Sequence, residues 1–165
     1  ELAKLYNEKN IIACEKYIDG INKIAENVRK ESLNNVYTFH GNAHKFLDKY
    51  CSPKSISEVW ILFPDPWPKK RHHKRRLVDV DLFYKLKNFL KNNGTVNIAT
   101  DSKSYISEIL KCIYEHPFAI CKSLNKHLPI LFGRLFSNRL QIADMFPWSV
   151  FHFEISIKYV NEIRL

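Results

Sequence analysis

The chain has 165 residues, 45% of them hydrophobic and 13% aromatic, which suits one folded domain with a sizeable core and excludes a disordered tail. Its 26 Lys and Arg outnumber 17 Asp and Glu, and the resulting formal net charge of +9 favours polyanionic partners such as nucleic acid or an anionic membrane surface. No apolar stretch approaches the roughly 20 residues of a membrane span. The widely spaced Cys14, Cys51, Cys112 and Cys121, without a CxxC pair, exclude a zinc ribbon or a disulfide framework and point to reduced thiols in the cytoplasm.

In chain order, the opening ELAKLYNEKN has no signal-peptide character and enters as if in mid-helix, so the expectation is a piece of a longer chain. Residues 10–14, NIIAC, form an apolar strand ending at Glu15, and Ile18, Ile21, Ile24, Ala25 and Val28 then recur at helical spacing. Val36 to Phe39 predicts a second strand, followed by a short helix with Phe46, Leu47 and Tyr50 on its apolar face. The run Val59-Trp60-Ile61-Leu62-Phe63 suits a strand buried on both faces of a parallel sheet. Leu82, Phe83, Leu86, Phe89 and Leu90 share a helical face, with Asn92-Asn93-Gly94 as its expected stop. Thr95 to Thr100 predicts a strand ending in Asp101, and Ile106, Ile109, Leu110 and Ile113 a helix stopped near Pro117. Residues 118–148 carry no clear period, whereas Phe151, Phe153, Ile155, Ile157 and Tyr159 alternate with polar residues as in a terminal strand with one buried face.

Strands alternating with helices of this length predict βαβ units, hence an α/β domain with a mostly parallel twisted sheet over residues 1–165. Ligands of such sheets bind beyond the carboxyl ends of the strands. That rule selects Glu15, Asn42, Asp65 and Asp101.

Residues 63–76, FPDPWPKKRHHKRR, are the most informative stretch. Proline disfavours the α region for the residue before it, so Phe63 and Asp65 are expected to be extended, with the Asp65 carboxylate aimed rigidly off the strand end. Trp67 offers a face for stacking on a base, and Lys69, Lys70, Arg71, His72, His73, Lys74, Arg75 and Arg76 offer a phosphate-binding track. A run of Lys and Arg is usually only a solvated face, but a fixed carboxylate and an aromatic wall beside it suit an enzyme that acts on one base of a nucleic acid. Adjacent His72 and His73 point in different directions and lack a ligand partner at metal spacing, so no metal site is expected. Asp101 serves equally as a helix N-cap, and Asn42 on its own is a weak signal, because Gly-Asn is common turn chemistry.

The stretch FPDPWPKKRHHKRRL resembles the signature of the bacterial tRNA (guanine-N7-)-methyltransferases, S-adenosylmethionine-dependent enzymes that methylate a guanosine in the tRNA variable loop. The resemblance covers roughly residues 1–116. ACEKYIDGI at 13–21 is similar to the family's G-I-E-x-x-x-x-G-V, GNA at 41–43 to its D/N-A segment, and ATD at 99–101 to its A-T-D. It implies a Rossmann-like class I methyltransferase fold, with Glu15, Asn42 and Asp65 on the cofactor and Asp65 also catalytic. It further implies substrate or RNA contacts for Lys69, Arg71, His72, His73, Lys74, Arg75, Arg76 and Asp101, and tRNA as the partner in the cytoplasm. The family's E-I-G-x-G-x-G segment and first strand, and its T-K/R-F/Y-E segment, have no counterpart in these residues. Two other readings stay open: an RNA-binding domain without turnover, and a related methyltransferase with another nucleic-acid substrate.

Overall fold

Residues 1–115 and the backbone strands at 119–125 and 151–157 are described by a computed structural model. The chain divides into two compact units, Glu1–Cys51 and Ser52–Leu165.

In the first unit, β1 (Ile11–Glu15) pairs in parallel with β2 (Val36–His40), from Ile11 opposite Val36 to Glu15 opposite His40. Parallel neighbours need a crossover, and α2 (Ile18–Lys30) supplies it. It ends in a paired hydrogen-bond closure: Ser32, at φ 51, donates its N–H to the Arg29 carbonyl and Leu33 donates to that of Val28. The short α1 (Leu2–Leu5) is tied down by the buried Asn35, whose amide donates to the carbonyls of Ala3, Tyr6 and Lys9 at 3.0, 3.2 and 3.1 Å. After β2, α3 (Ala43–Tyr50) buries Leu47 and groups Phe46 and Tyr50 with Phe39 at ring separations of 5.1 and 5.4 Å.

The second unit holds a four-stranded sheet in the order β3 (Ile56–Leu62), β4 (Leu90–Thr100), β6 (Phe151–Ile157), β5 (Ala119–Asn125). β3 and β4 are parallel, while β6 runs antiparallel to both β4 and β5. The expected terminal strand is thus β6, and β5 falls in the segment that carried no period. The reading that one face of 151–159 is buried lies outside the described residues.

Helices α4 (Val80–Phe89) and α5 (Lys103–Glu115) complete the unit. Asp79 caps α4 by accepting the Leu82 N–H at 2.8 Å. Leu82, Phe83 and Leu86 of α4 and Tyr105, Ile109, Cys112 and Ile113 of α5 are buried, together with Val96, Ile98 and Ala99 of β4.

Two sequence expectations are corrected. The helix does not stop on Asn92-Asn93-Gly94: α4 ends at Phe89, and Leu90 is already extended at φ −70, ψ 141. Register runs from Ile56 opposite Leu90 to Glu58 opposite Thr95, so β4 carries the surplus residues as an irregularity. Gly94 lies in this stretch, where a Cβ would meet Leu90 Cδ2 at 2.8 Å and the Lys91 carbonyl oxygen at 3.0 Å. The strand buried on both faces is β4, not β3: residues 96–100 are all buried, whereas in β3 only Ile61 is. Position explains the exchange, since β3 ends the sheet order and β4 lies inside it.

Candidate active site

Within the first unit, the carboxyl ends of β1 and β2 place Glu15 and Asn42 on one edge. The Gly41 N–H donates to the Glu15 carbonyl at 2.9 Å, which holds the two strand exits together. The Glu15 carboxylate accepts the Tyr17 N–H at 2.9 Å and lies against Gly20. A Cβ at Gly20 would meet Glu15 Cγ at 2.6 Å and Cδ at 3.0 Å, so the missing side chain is the seat of the carboxylate. Asn42 caps α3, its Oδ1 accepting the His44 N–H at 2.8 Å, which leaves its amide hydrogens directed elsewhere. This resolves the turn-or-ligand alternative only on the acceptor side.

Within the second unit, β3 and β4 carry Asp65 and Asp101 off one edge in parallel. Leu62 is opposite Ala99, and the Phe63 N–H donates to the Ala99 carbonyl at 2.8 Å. Both carboxylates are exposed. Asp101 stands one residue ahead of the position that begins α5: the Ser102 carbonyl accepts the Tyr105 and Ile106 N–H groups at 3.0 and 3.1 Å. Ser102, rather than Asp101, thus holds the capping position.

Phe63 departs from expectation. It is not extended but sits at φ 49, and Trp67, also followed by a proline, sits at φ 41. Bulky residues rarely adopt such backbone, and it costs on the order of 1–3 kcal/mol each unless the surroundings impose it. The Asp65 segment is thus a doubly bent path between two strained residues.

The basic run folds as a 3-10 helix, Lys70–Arg75, opened by the His72 N–H to the Lys69 carbonyl at 2.8 Å. With three residues per turn, side chains three apart fall in one column. His72 and Arg75 form a column on Trp67, the imidazole edge-on at 5.7 Å and the guanidinium over the ring at 5.0 Å. The face of Trp67 expected to stack on a base is therefore covered, at least on one side, by Arg75. His73 and Arg76 form a column toward α5, reaching Glu108 Oε1 at 3.8 and 3.7 Å. Arg71 and Lys74 form the outward column and are exposed, as are Lys69, Lys70 and Arg75.

Arg76 is placed differently from the exposed cations of the run. It is 6% exposed, its Nε donates to the Pro66 carbonyl at 2.8 Å, an Nη donates to Ser104 Oγ at 3.3 Å, and its plane lies 4.8 Å from the Tyr105 ring centre. Its Nε and Nη donors are thus turned toward Pro66 and Ser104 within the fold. His72 and His73 are half-buried against Trp67 and Glu108, and His73 Nε2 has no hydrogen-bond partner among the described residues. Sequence reasoning missed Gly20 as a carboxylate seat, and missed Ser104 and Tyr105 as the floor under the basic run. The cationic stretch is uniform along the sequence, so nothing in it signalled which side chains turn inward.

Residues 1–131 match a family model described as "Putative methyltransferase", Methyltransf_4. The chain belongs to this methyltransferase family. A tRNA (guanine-N(7)-)-methyltransferase of Corynebacterium jeikeium (strain K411) is 41% identical over 104 residues, 63% of this chain and 41% of that protein. One of Neorickettsia sennetsu (strain ATCC VR-367 / Miyayama) is 39% identical over 110 residues, 67% of this chain and 50% of that protein. The chain spans about half the length of the curated relatives it matches. Among solved structures, an rRNA methylase of Streptococcus thermophilus aligns with a TM-score of 0.60 at 12% identity, over 91% of this chain and 74% of that one. A SAM-dependent methyltransferase of Aquifex aeolicus aligns at 0.58 and 11%, over 90% and 69%. At such identities the likeness is one of fold, the Rossmann-like α/β fold of methyltransferases.

Among the described residues, no helix is long and apolar enough to cross a membrane. None of them forms a group of three or more His, Cys, Asp or Glu that could hold a metal ion.

Proposed function

We propose that the chain is part of an enzyme that transfers a methyl group from S-adenosylmethionine to N7 of a guanosine in the variable loop of cytoplasmic tRNA, with both units belonging to one methyltransferase domain. The observation that carries this reading is the position of the exposed Asp65 between Pro64 and Pro66, just beyond the carboxyl end of β3, followed in the chain by the exposed Lys69, Lys70, Arg71, Lys74 and Arg75. The named relatives supply the reaction, and the residues supply the means.

S-adenosylmethionine, when bound, supplies a methyl group on a sulfonium that is already a leaving group. The glycine cradle at Gly20 favours Glu15 as the ribose-holding carboxylate: one of its oxygens already accepts a hydrogen bond from Tyr17, and the remaining lone pairs suit a pair of hydroxyls. Asn42, with its acceptor engaged on His44, has only its amide donors to offer toward a nucleoside base.

Guanine N7 carries an in-plane lone pair and needs no deprotonation. Asp65 therefore acts as an orienter: it accepts hydrogen bonds from the N1–H and amino edge and offsets the positive charge that grows on the purine. Asp101 joins it on the same strand edge as a second acceptor. The exposed cations hold phosphates and carry no base information.

The test is methyl transfer from labelled cofactor to unmodified tRNA by the gene product at its natural length. Asp65→Asn is expected to lower the single-turnover rate by roughly 10- to 100-fold, the worth of about 1.5–3 kcal/mol for a hydrogen bond to a charged group, with tRNA affinity within about twofold of wild type. Full turnover by Asp65→Asn would remove Asp65 from the chemistry. Tight tRNA binding by the wild type with no transfer would leave an RNA-binding domain.

A further inference from the structure

We propose that Arg76 is a positioning residue, whose guanidinium clamps the Pro66 carbonyl to the first turn of α5 and so holds Asp65 and Trp67 in their strained path. Its effect on methyl transfer rests on the function proposed above; its effect on the loop does not.

The argument starts from the backbone. Phe63 and Trp67 both hold positive φ ahead of a proline, and such a conformation persists only where the surroundings impose it. At Phe63 the restraint is the hydrogen bond of its own N–H to the Ala99 carbonyl of β4. At Trp67 it is Arg76. The Pro66 carbonyl belongs to the same planar peptide as the Trp67 nitrogen, so fixing that oxygen at 2.8 Å fixes the orientation of the whole plane. One side of the plane then sets the Trp67 bend, and the other sets the direction in which Asp65 leaves Pro66.

The clamp needs an anchor, and α5 supplies it. Ser104 offers Oγ at 3.3 Å and its carbonyl at 3.5 Å, Glu108 lies 3.7 Å away, and the Tyr105 ring faces the guanidinium plane at 4.8 Å. Tyr105 is itself immobilised, being fully buried and accepting the Val78 N–H at 2.8 Å. A planar fork reaches the Pro66 carbonyl from one edge and Ser104 from the other; a lysine ammonium on the same stem has no such span. Helix α5 also follows directly on Asp101. The clamp therefore ties the loop bearing one strand-end carboxylate to the helix that follows the other.

The experiment compares Arg76→Lys, Ser104→Ala and Lys74→Ala in the gene product at its natural length, with three measurements. For Arg76→Lys, amide exchange at Phe63 and His72, whose N–H groups are hydrogen-bonded to the Ala99 and Lys69 carbonyls on either side of the loop, is expected to rise by about tenfold as the loop opens locally. Its rate at saturating tRNA is expected to fall by about 100-fold, the scale of an ångström misplacement. Its tRNA affinity and the salt dependence of that affinity are expected to stay unchanged. Ser104→Ala, which removes a single anchor from an exposed position, is expected to shift exchange and rate in the same direction by a smaller factor and keeps the proposal open to refutation if Arg76→Lys does not fold. Lys74→Ala is expected to leave exchange unchanged and to weaken binding with a shallower salt dependence. Unchanged exchange in Arg76→Lys and Ser104→Ala overturns the proposal, and so does a salt dependence for Arg76→Lys as shallow as that of Lys74→Ala, which would make Arg76 a phosphate ligand. A wild type that methylates no tRNA removes the proposed function alone, because the exchange measurement still decides the clamp.

Discussion

A glycine in the first unit and a serine in the second show how much of each strand end is built from what single side chains omit or supply. Gly20 lies in α2, where alanine normally gains about 0.5–1 kcal/mol of stability over glycine. Here an added methyl would meet the Glu15 side chain at 2.6 Å and push its carboxylate off the Tyr17 N–H. Gly20→Ala is therefore expected to leave the melting temperature nearly unchanged while weakening cofactor binding by about tenfold, the cost of one displaced charge-assisted hydrogen bond. Calorimetric titration with cofactor beside a thermal melt separates the two effects; unaltered affinity would show that Glu15 does not hold the ribose. Ser102, by taking the position that opens α5, leaves Asp101 exposed and available at the strand end. Asp was legible in the sequence as either cap or contact, and the choice came from its neighbour.

The elements differ in how firmly they hold the site. Helix α5 meets Arg76 through Ser104 and buries Tyr105, Ile109 and Ile113. Burial pushes the Tyr105 phenol up to about 12, against an ordinary value of 10. A phenol whose value is raised on folding adds stability that is complete below pH 10 and is lost as pH rises from 10 to about 12. Denaturant titrations at pH 9 and pH 11.5 are expected to show this loss in the wild type and a flatter profile in Tyr105→Phe. That variant should also be weaker at neutral pH by about 1–3 kcal/mol, because the Val78 N–H loses its acceptor. Equal alkaline slopes in the two proteins would contradict the assignment. The 3-10 helix is the complementary case: no residue of Lys70–Arg75 is buried, and its order comes from the columns that seat His72 and Arg75 on Trp67 and His73 beside Glu108.

For the molecule as a whole, the formal net charge of +9 is not spread evenly, and the exposed members of the basic run set its expected behaviour toward RNA. If Lys69, Lys70, Arg71, Lys74 and Arg75 each neutralise one phosphate, the logarithm of the tRNA association constant should fall with the logarithm of salt concentration at a slope of about −3.5 to −4.5. Replacing Lys69, Arg71 or Lys74 by alanine should reduce that slope by about one each, whatever the tRNA sequence. Filter binding across a salt series measures it. A slope near zero would mean that this surface does not bind RNA.

The local pattern determined much of this protein. The apolar runs and helical spacings located β1, β2, α2, α3, α4 and α5 to within a few residues, because binary patterning is a property of neighbours along the chain. The strand-end rule selected Glu15, Asn42, Asp65 and Asp101 for the same reason, since each follows directly on a run that declares itself. The tertiary structure decided what depends on residues far apart. It made β4 rather than β3 the doubly buried strand, because burial follows a strand's place in the sheet. It placed β5 where the sequence has no period, because pairing with β6 and not an amphipathic pattern defines that strand. It bent Phe63 and Trp67 against the preference that a following proline imposes, through contacts from β4 and from Arg76. Above all, it divided a uniform run of cations into an outward set and an inward one. Composition treats Lys74 and Arg76 alike, and only the floor formed by Ser104, Tyr105 and Glu108, about thirty residues away, buries one of them and leaves the other exposed.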